Sequence, residues 1–277
     1  MAQNYSAAHL KVLDERFYTE SKTDIIVNKG IRLDFNGKNT VTIYNVDTVA
    51  ESNYVRSGSN RFGPLVELGT GTQTFVLSQD KSFTFTVDRG NLEDSMMAQE
   101  VGKAVKRQVR EVSVPATDIY RLSVLAAYAT ANSQADTGAL TTTDAFEHVL
   151  EQQAELIDDE VDEDGLVLYV SPTFWHKLYR DPEFKQACDM SYRDNKKGVM
   201  GEVAGMKVVR CPASYYVANF NFMIVSSKLL VSPMKFNSVR TLDDVQGIDG
   251  WVAEGRRYYD AFIPTQKGTA VRLHTIS

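Results

Sequence analysis

The 277-residue sequence has little cysteine, little histidine and no long apolar run. Its two cysteines, Cys188 and Cys211, are too few for a disulfide framework, so we expect free thiols and no secreted protein. No apolar stretch approaches the roughly 20 residues that span a bilayer, and the first residues lack the apolar core of a signal peptide. The sequence therefore favours a reducing cytoplasm, or a particle assembled there, and no membrane partner.

Motifs of the common enzyme classes are also missing. The sequence has no G-x-S-x-G nucleophile elbow and no P-loop, and Gly69 and Gly71 lack the third glycine of a dinucleotide site. The cysteines have no partners at zinc-binding spacing. Four histidines are scattered without metal-ligand spacing: His9, His148, His176 and His274. We predict no catalytic residue, no cofactor and no metal site.

The acidic run EVDEDG, residues 160–165, is similar to the beginning of an EF-hand loop, with acids at alternate positions and glycine at the sixth. An EF-hand begins with aspartate and has a bidentate glutamate at its twelfth position, whereas this run has Glu160 and Ser171 there. We interpret the run as a solvated acidic turn before a strand. A divalent ion bound by residues 158–164 remains an open alternative.

Composition and charge are those of an ordinary globular protein. Hydrophobic residues make up 43% and charged residues 24%, which argues against disorder, and the length allows one large domain or two smaller ones. The formal net charge of -6 argues against a strongly basic surface that would hold nucleic acid overall. A local basic stripe is still compatible with that charge.

Alternating apolar and polar residues predict a long β-hairpin or narrow sheet in the first third of the chain. The run NTVTIYNV comes first, residues 57–71 form a glycine-rich tip, and the runs TFVL and SFTFTVD follow. One face, with Phe83, Phe85 and Val87, is expected to be buried. Ser82 and Thr84 are expected on the other face.

A long amphipathic helix is predicted from Asn91, a suitable N-cap, to about residue 112, and Pro115 is expected to stop or redirect the chain. Spacings of three, four and seven place four basic residues on one face of this helix: Lys103, Lys106, Arg107 and Arg110. Two interpretations stay open. The face is solvated and makes salt bridges with neighbours, or it neutralises the phosphates of packaged nucleic acid.

Helices and strands alternate in the middle of the chain. We predict a helix over residues 144–157, a short buried strand LVLYV, and a helix opened by the cap and first-turn proline Ser171-Pro172. From Phe222 onward the chain is predicted to be mostly strand. The sequence shows no repeat of fixed period.

This order of parts resembles a major capsid protein of tailed bacteriophages with the Hong Kong 97-type fold. The resemblance covers nearly the whole chain in order. Five segments carry it: SKTDIIVNKGIRLDFNGKNTVTIYNVDTV, LSQDKSFTFTVDRGNLEDS, VSVPATDIYRLSVLA, GEVAGMKVVRCP and GWVAEGRRYYDAFI.

The resemblance implies an α+β fold with five parts. Residues 1–36 would be an N-terminal arm, and residues 37–89 an extended β-hairpin, the extension loop (E-loop). Residues 90–131 would be the peripheral domain with its spine helix, and residues 132–233 the axial domain. Residues 234–277 would return to the peripheral domain as C-terminal strands.

The resemblance also implies a non-enzymatic function. The chain would assemble into pentamers and hexamers of an icosahedral head around double-stranded DNA, in the virion, after assembly in the host cytoplasm. Expected partners are other copies, a portal and a separate scaffolding protein. The E-loop tip has no lysine over residues 54–71, so no covalent crosslink is predicted. The candidates for contact with a neighbouring subunit are Arg56, Arg61, Phe62 and Leu65.

Three alternatives stay open at this point. The tip of the hairpin could be a mobile surface loop without a partner. The chain could be an encapsulin-type nanocompartment protein, which resembles the same fold and would hold protein cargo. A soluble α/β hydrolase or transferase would need a cluster of titratable residues in a pocket, with strongly shifted acids.

Overall fold

The computed structural model describes residues 21–31, 33–36, 39–89, 101–184, 199–243 and 245–276. The chain divides into two compact units. The smaller unit is Gly30–Ser78, and the larger unit contains the rest of the chain. Among the described residues, the smaller unit contains one sheet and the larger unit contains two.

The smaller unit is a three-stranded antiparallel sheet with a long excursion between two of its strands. Its strands are β1 (Asp34–Asn36), β2 (Thr40–Val46) and β3 (Thr70–Val76), with β2 in the middle. Val41 and Ile43 of β2 are buried. The pairing of β2 with β3 confirms the predicted hairpin.

The third alternating run, β4 (Gln79–Asp88), does not belong to that hairpin, so the prediction of one narrow sheet was wrong. β4 pairs along its length with β11 (Gly250–Tyr259), which also pairs with β10 (Met234–Asp243). Alternation identifies a half-buried strand but does not identify its partner. Here Phe83 lies opposite Gly255, where an added Cβ would stand 2.3 Å from the Phe83 ring, so the glycine leaves room for the aromatic side chain.

A helical run packs against this second sheet. It consists of α1 (Val101–Gln108), a π-helical segment (Val109–Ser113) and α2 (Val114–Ala131). Pro115, which was expected to stop or redirect the chain, lies in the first turn of α2, where a missing N–H is tolerated, and the helical run continues through it. The predicted N-cap Asn91 lies outside the described residues.

The third sheet is the centre of the larger unit. Its six strands run in the order β5-β12-β9-β6-β8-β7 and mix parallel and antiparallel pairs. They are β5 (Ala135–Thr137), β6 (Leu166–Val170), β7 (Val199–Val203), β8 (Met206–Arg210), β9 (Phe220–Ser226) and β12 (Val271–Thr275).

Helices cover both faces of this six-stranded sheet. The apolar side of α2 packs on one face, and α3 (Ala145–Asp158) with α4 (Pro172–Arg180) packs on the other. All five residues of β6 are therefore buried, which confirms the predicted buried strand. At the start of α4, Ser171 Oγ accepts a hydrogen bond from Phe174 N at 3.1 Å, which confirms the predicted cap.

These sheets and separate helices confirm the α+β class. Within the part of the chain that the structure describes, no helix combines the length and the apolar character that crossing a bilayer requires.

Candidate assembly surfaces

The excursion between β2 and β3 ends in a tip, residues 52–68, that is folded on itself. Val55 N donates to Arg61 O at 3.0 Å, and Ser52 Oγ donates to Phe62 O at 2.7 Å. Gly63 has φ +88°, and a Cβ there would stand 2.3 Å from Ser52 Oγ, so the close approach requires glycine. The tip therefore has a defined local conformation although it contains no strand or helix.

Large apolar side chains cover the tip and are exposed. Phe62 is 85% exposed and Leu65 is fully exposed, and the ring of Tyr54 meets that of Phe62 edge to face at 5.0 Å. Isolated exposed apolar residues are ordinary, but a group of this kind usually marks a surface that contacts a partner. Six such residues are more than half exposed: Tyr54, Val55, Phe62, Leu65, Val66 and Leu68.

The two arginines predicted to contact a neighbour also lie on the tip. Arg61 Nε donates to Gly58 O at 3.2 Å and so closes the turn, while Arg56 is exposed. The structure thus brings Arg56, Arg61, Phe62 and Leu65 to one tip. Their contact with a neighbouring subunit stays a prediction.

In the larger unit, the helical run packs against the β10-β11-β4 sheet through a small apolar core. Val105, Val109 and Val114 meet Ala253 of β11, with Phe85 of β4 partly buried beside them. This contact confirms that Phe85 is on the buried face of its strand.

A buried arginine contacts the end of the π-helical segment in this helical run. Arg257 of β11 donates from Nη1 to Ser113 O and to Thr117 Oγ1, both at 2.9 Å. Burial lowers the pKa of Arg257, and nearby Tyr259 opposes that shift. The guanidinium lies 5.4 Å from the centre of the Tyr259 ring, a distance at which a cation–π attraction operates.

The basic stripe on α1 and the π-helical segment is only partly solvated. Lys106 is half-buried, Arg107 and Arg110 are exposed, and the Lys103 side chain lies outside the described residues. Arg107 Nε lies 2.9 Å from Glu111 Oε1. For Arg107 the salt-bridge interpretation is therefore observed. The contact with nucleic acid stays a prediction.

Residues 21–29 are anchored on α2 by a polar network that sequence reasoning missed. Asp118 accepts hydrogen bonds from Lys22 N at 2.9 Å and Thr23 Oγ1 at 2.6 Å, and Arg121 Nη1 donates to Thr23 Oγ1 at 3.1 Å. Ile26 is fully buried beside them. The apolar pair Ile25-Ile26 was the one available signal, because no local pattern links residue 23 to residue 118.

Two of the scattered histidines come together with a carboxylate. His274 of β12 lies opposite Asp136 of β5, with 3.6 Å between Nε2 and Oδ2, and the His148 ring of α3 is 5.9 Å from the His274 ring. Burial lowers the pKa of His274, Asp136 opposes this shift, and His148 adds to it. His176 is exposed on α4, and His9 lies outside the described residues.

Solved structures from phages and from a virus-like particle are similar to this chain over most of its length. A structure from Microbacterium phage Oxtober96 covers 93% of this chain and 91% of its own, with a TM-score of 0.68 at 11% identity. The mature capsid of bacteriophage PhiM1 covers 87% and 82%, with a TM-score of 0.58 at 11% identity. A virus-like particle from Pyrococcus furiosus covers 98% and 100%, with a TM-score of 0.55 at 9% identity.

The chain has the Hong Kong 97-type capsid fold. No protein-family model matches the sequence, and no curated protein matches it either. At identities of 9–11%, the similarity of these capsid structures establishes the fold.

In this capsid fold, the acidic run 160–165 is a turn between α3 and β6. Asp162 Oδ1 accepts a hydrogen bond from Asp164 N at 3.1 Å, and Gly165 has φ +89°. Within the described residues, the carboxylates of this turn do not converge as the ligands of an ion would. Just before the turn, Asp159 pairs with Arg272 of β12 and so ties α3 to the sheet.

Two concave regions lie beside the β10-β11-β4 sheet, and an enzyme would need a cluster of titratable residues in one of them. One is lined by Phe83, Ile119 and Tyr120 among others, with no acid. The other contains a single acid, Glu254, whose Oε2 pairs with Arg240 Nε at 2.7 Å. Neither region has the cluster of shifted acids that the enzyme alternative requires.

Proposed function

We propose that the chain is the major capsid protein of a tailed phage, which assembles into pentamers and hexamers of an icosahedral head around double-stranded DNA. The proposal rests on the exposed apolar tip of a chain with a capsid fold. Phe62 and Leu65 gain burial only by contact with another molecule, because they are exposed on this chain. Repetition of one such contact around closed symmetry builds rings and shells.

The five parts of the capsid fold have the following proposed ranges. Residues 1–36 are the N-terminal arm, residues 37–89 the E-loop, and residues 90–131 the spine part of the peripheral domain. Residues 132–233 are the axial domain, and residues 234–277 are the C-terminal strands of the peripheral domain. The compact unit Gly30–Ser78 supports the E-loop range in part. β4, at the end of the proposed E-loop range, pairs with β11 in the larger unit.

In the shell, the tip lies on a neighbouring subunit. Phe62 and Leu65 supply the apolar area of this contact, and Arg56 and Arg61 supply charge at its edge. The basic stripe faces the interior, where Lys103, Lys106, Arg107 and Arg110 neutralise DNA phosphates without reading bases.

The other proposed partners are a separate scaffolding protein and a portal. The protein belongs to the virion, is assembled in the host cytoplasm and catalyses no reaction. No step of shell formation requires a cofactor.

Negative-stain microscopy of the purified full chain, with and without its candidate scaffold, tests the proposal beside light scattering for mass. We expect rings of five or six copies, or closed shells of megadalton mass. A monomer or dimer under every condition would contradict the proposal.

A nanocompartment shell is the second candidate function, favoured by the match to the virus-like particle from Pyrococcus furiosus over 98% of this chain. The two candidate functions differ in what the shell encloses. Shells purified from the producing cell and treated with nuclease retain protected DNA if the chain builds a phage head. They retain a second protein and no DNA if it builds a nanocompartment.

A further inference from the structure

The cluster of Asp136, His148 and His274 lies at one edge of the six-stranded sheet and takes no part in the assembly surfaces. We propose that these three side chains form a binding site for one divalent transition-metal ion of the zinc class. The ion would join the edge strand β5, the neighbouring strand β12 and helix α3.

The geometry of the cluster is close to that of a metal site. One ligand atom from each residue lies within 4.8 Å of the other two. Donor atoms about 2.0–2.2 Å from a tetrahedral zinc ion are about 3.3–3.6 Å from each other. Asp136 Oδ2 and His274 Nε2, at 3.6 Å, already meet this spacing. His148 and Asp136 are partly exposed, so their side chains have room to close the remaining distance.

An unpartnered buried atom points to a missing ligand. The His274 side chain is only 1% exposed, and its buried Nε2 atom has no hydrogen-bond partner. An unpaired buried polar atom is costly, and native proteins avoid it. Gly138 places no side chain beside this atom, since an added Cβ would stand 3.7 Å from Nε2. The Phe222 ring stacks on the imidazole at 5.2 Å and holds its orientation.

Outer contacts orient all three proposed ligands, as is usual around bound metals. Thr137 N donates to Asp136 Oδ1 at 2.8 Å, which leaves Oδ2 for the ion. His148 Nδ1 lies 3.0 Å from Glu151 Oε2, and a proton held on Nδ1 by this carboxylate would leave the lone pair of Nε2 for a metal.

Asn221 completes this outer set on the His274 side. Its side-chain amide lies 3.2 Å from His274 Nδ1. When the amide presents its oxygen, Nδ1–H donates to it and Nε2 keeps the lone pair that a metal needs. Metal binding would therefore select this orientation of the amide.

The donor set determines the class of ion. Two imidazoles and one carboxylate suit Zn²⁺ and related transition metals, whereas Mg²⁺ and Ca²⁺ prefer oxygen ligands alone. Imidazole must be neutral to bind a metal. Three protein ligands leave a fourth position for water.

The first experiment measures zinc binding to the purified full chain after removal of metal by a chelator. Titration calorimetry should give one Zn²⁺ per chain at this site. At a free concentration 100 times Kd, Zn²⁺ should raise the unfolding temperature by about 5–10 °C. The same concentration of Mg²⁺ should give no shift. Co²⁺ in place of Zn²⁺ should show visible absorption bands of a coordinated ion.

Matched variants locate the site. His148→Gln and Asp136→Asn are at partly exposed positions and should fold, yet each should lose the zinc-dependent shift. His176→Gln removes an exposed histidine from α4 and should keep the shift. Equal zinc binding by His148→Gln and the unmodified chain would overturn the proposal, as would loss of binding in His176→Gln. These readouts do not depend on shell assembly.

Discussion

Arg257 Nη1 lies 2.9 Å from the carbonyl oxygen of Ser113 and joins β11 to the last residue of the π-helical segment. Thr117 Oγ1 donates to the same carbonyl at 3.0 Å. The π-helical segment is wider than an α-helix and interrupts its regular hydrogen bonds, so an outside donor stabilises it. This contact sets where α2 begins relative to the β10-β11-β4 sheet.

Replacement of Arg257 by Met should destabilise the larger unit. The change keeps most of the apolar stem but removes the charged donor from Ser113 O and Thr117 Oγ1, at an expected cost of about 1–3 kcal/mol in the free energy of unfolding. Urea unfolding followed by circular dichroism measures this. Arg240→Met is the control, because its pair with Glu254 is exposed and should contribute less than about 1 kcal/mol. Equal losses in the two variants would contradict the assigned role of Arg257.

Removal of the Asp118 carboxylate should release residues 21–29. Asp118→Ala leaves Thr23 Oγ1 and Lys22 N without their acceptor in a buried place, which should lower the free energy of unfolding by about 2–4 kcal/mol. Trypsin should then cleave faster after Lys22 or Lys29. Asp162→Ala in the exposed acidic turn is the control and should leave both measurements near those of the unmodified chain. An unchanged cleavage rate in Asp118→Ala would show that the network does not anchor the segment.

Polar substitutions on the tip should block assembly without unfolding the chain. Phe62→Ser with Leu65→Ser removes two exposed side chains, each worth about 1.5–3 kcal/mol when buried in a contact. We expect the yield of closed shells in microscopy and light scattering to fall more than tenfold, with an unchanged unfolding temperature. Ser59→Ala with Asn60→Ser changes the same tip without touching its apolar side chains. Normal shells from the Phe62 and Leu65 variant would rule out this contact.

Neutralisation of the basic stripe should weaken DNA binding and make it less sensitive to salt. Lys106, Arg107 and Arg110 changed together to Gln remove three charges, so the slope of log K against log salt should fall by about 2–3. Fluorescence anisotropy of a DNA duplex at several salt concentrations gives this slope. The control changes three exposed cations elsewhere to Gln, namely Arg180, Lys207 and Lys228. If both triple variants change the slope equally, the stripe is no special DNA surface.

Alkaline pH should destabilise the fold through a buried cluster of a thiol and phenols. Burial raises the pKa of Cys211 above its ordinary 9.0, and burial raises those of Tyr169 and Tyr216 above their ordinary 10.0. The unfolded chain ionises these groups at ordinary values, so their full contribution to stability is present below about pH 9 and is lost as the pH rises further. Each group adds a slope of about 1.4 kcal/mol per pH unit while it is ionised only in the unfolded chain.

Tyr216→Phe tests this assignment by removing one of the phenols. The free energy of unfolding above pH 10, the ordinary pKa of the phenol, should then fall less steeply than in the unmodified chain. Tyr179→Phe, at an exposed position, is the control for the loss of a phenol hydroxyl as such. An identical slope in Tyr216→Phe and the unmodified chain would remove Tyr216 from the cluster.

Local pattern was enough to predict much of the fold. The continuous apolar run of β6, the Ser171-Pro172 cap of α4 and the alternation in β4 are each readable within ten residues, because helix and strand periodicity and capping are local properties. The order of these elements was sufficient to indicate the capsid fold. The exposed apolar tip was also visible as a glycine-rich stretch between two strands.

Only the tertiary structure decided which distant residues meet. The partner of β4 is β11, the donor to Ser113 is Arg257, and Asp136 lies opposite His274, although none of these pairs is close in sequence. Strand pairing and the packing of α3 on the sheet depend on burial summed over the whole unit, so no short window of sequence contains them. The sequence by itself determined the elements and their order, whereas long-range packing assembled the buried networks and the histidine cluster.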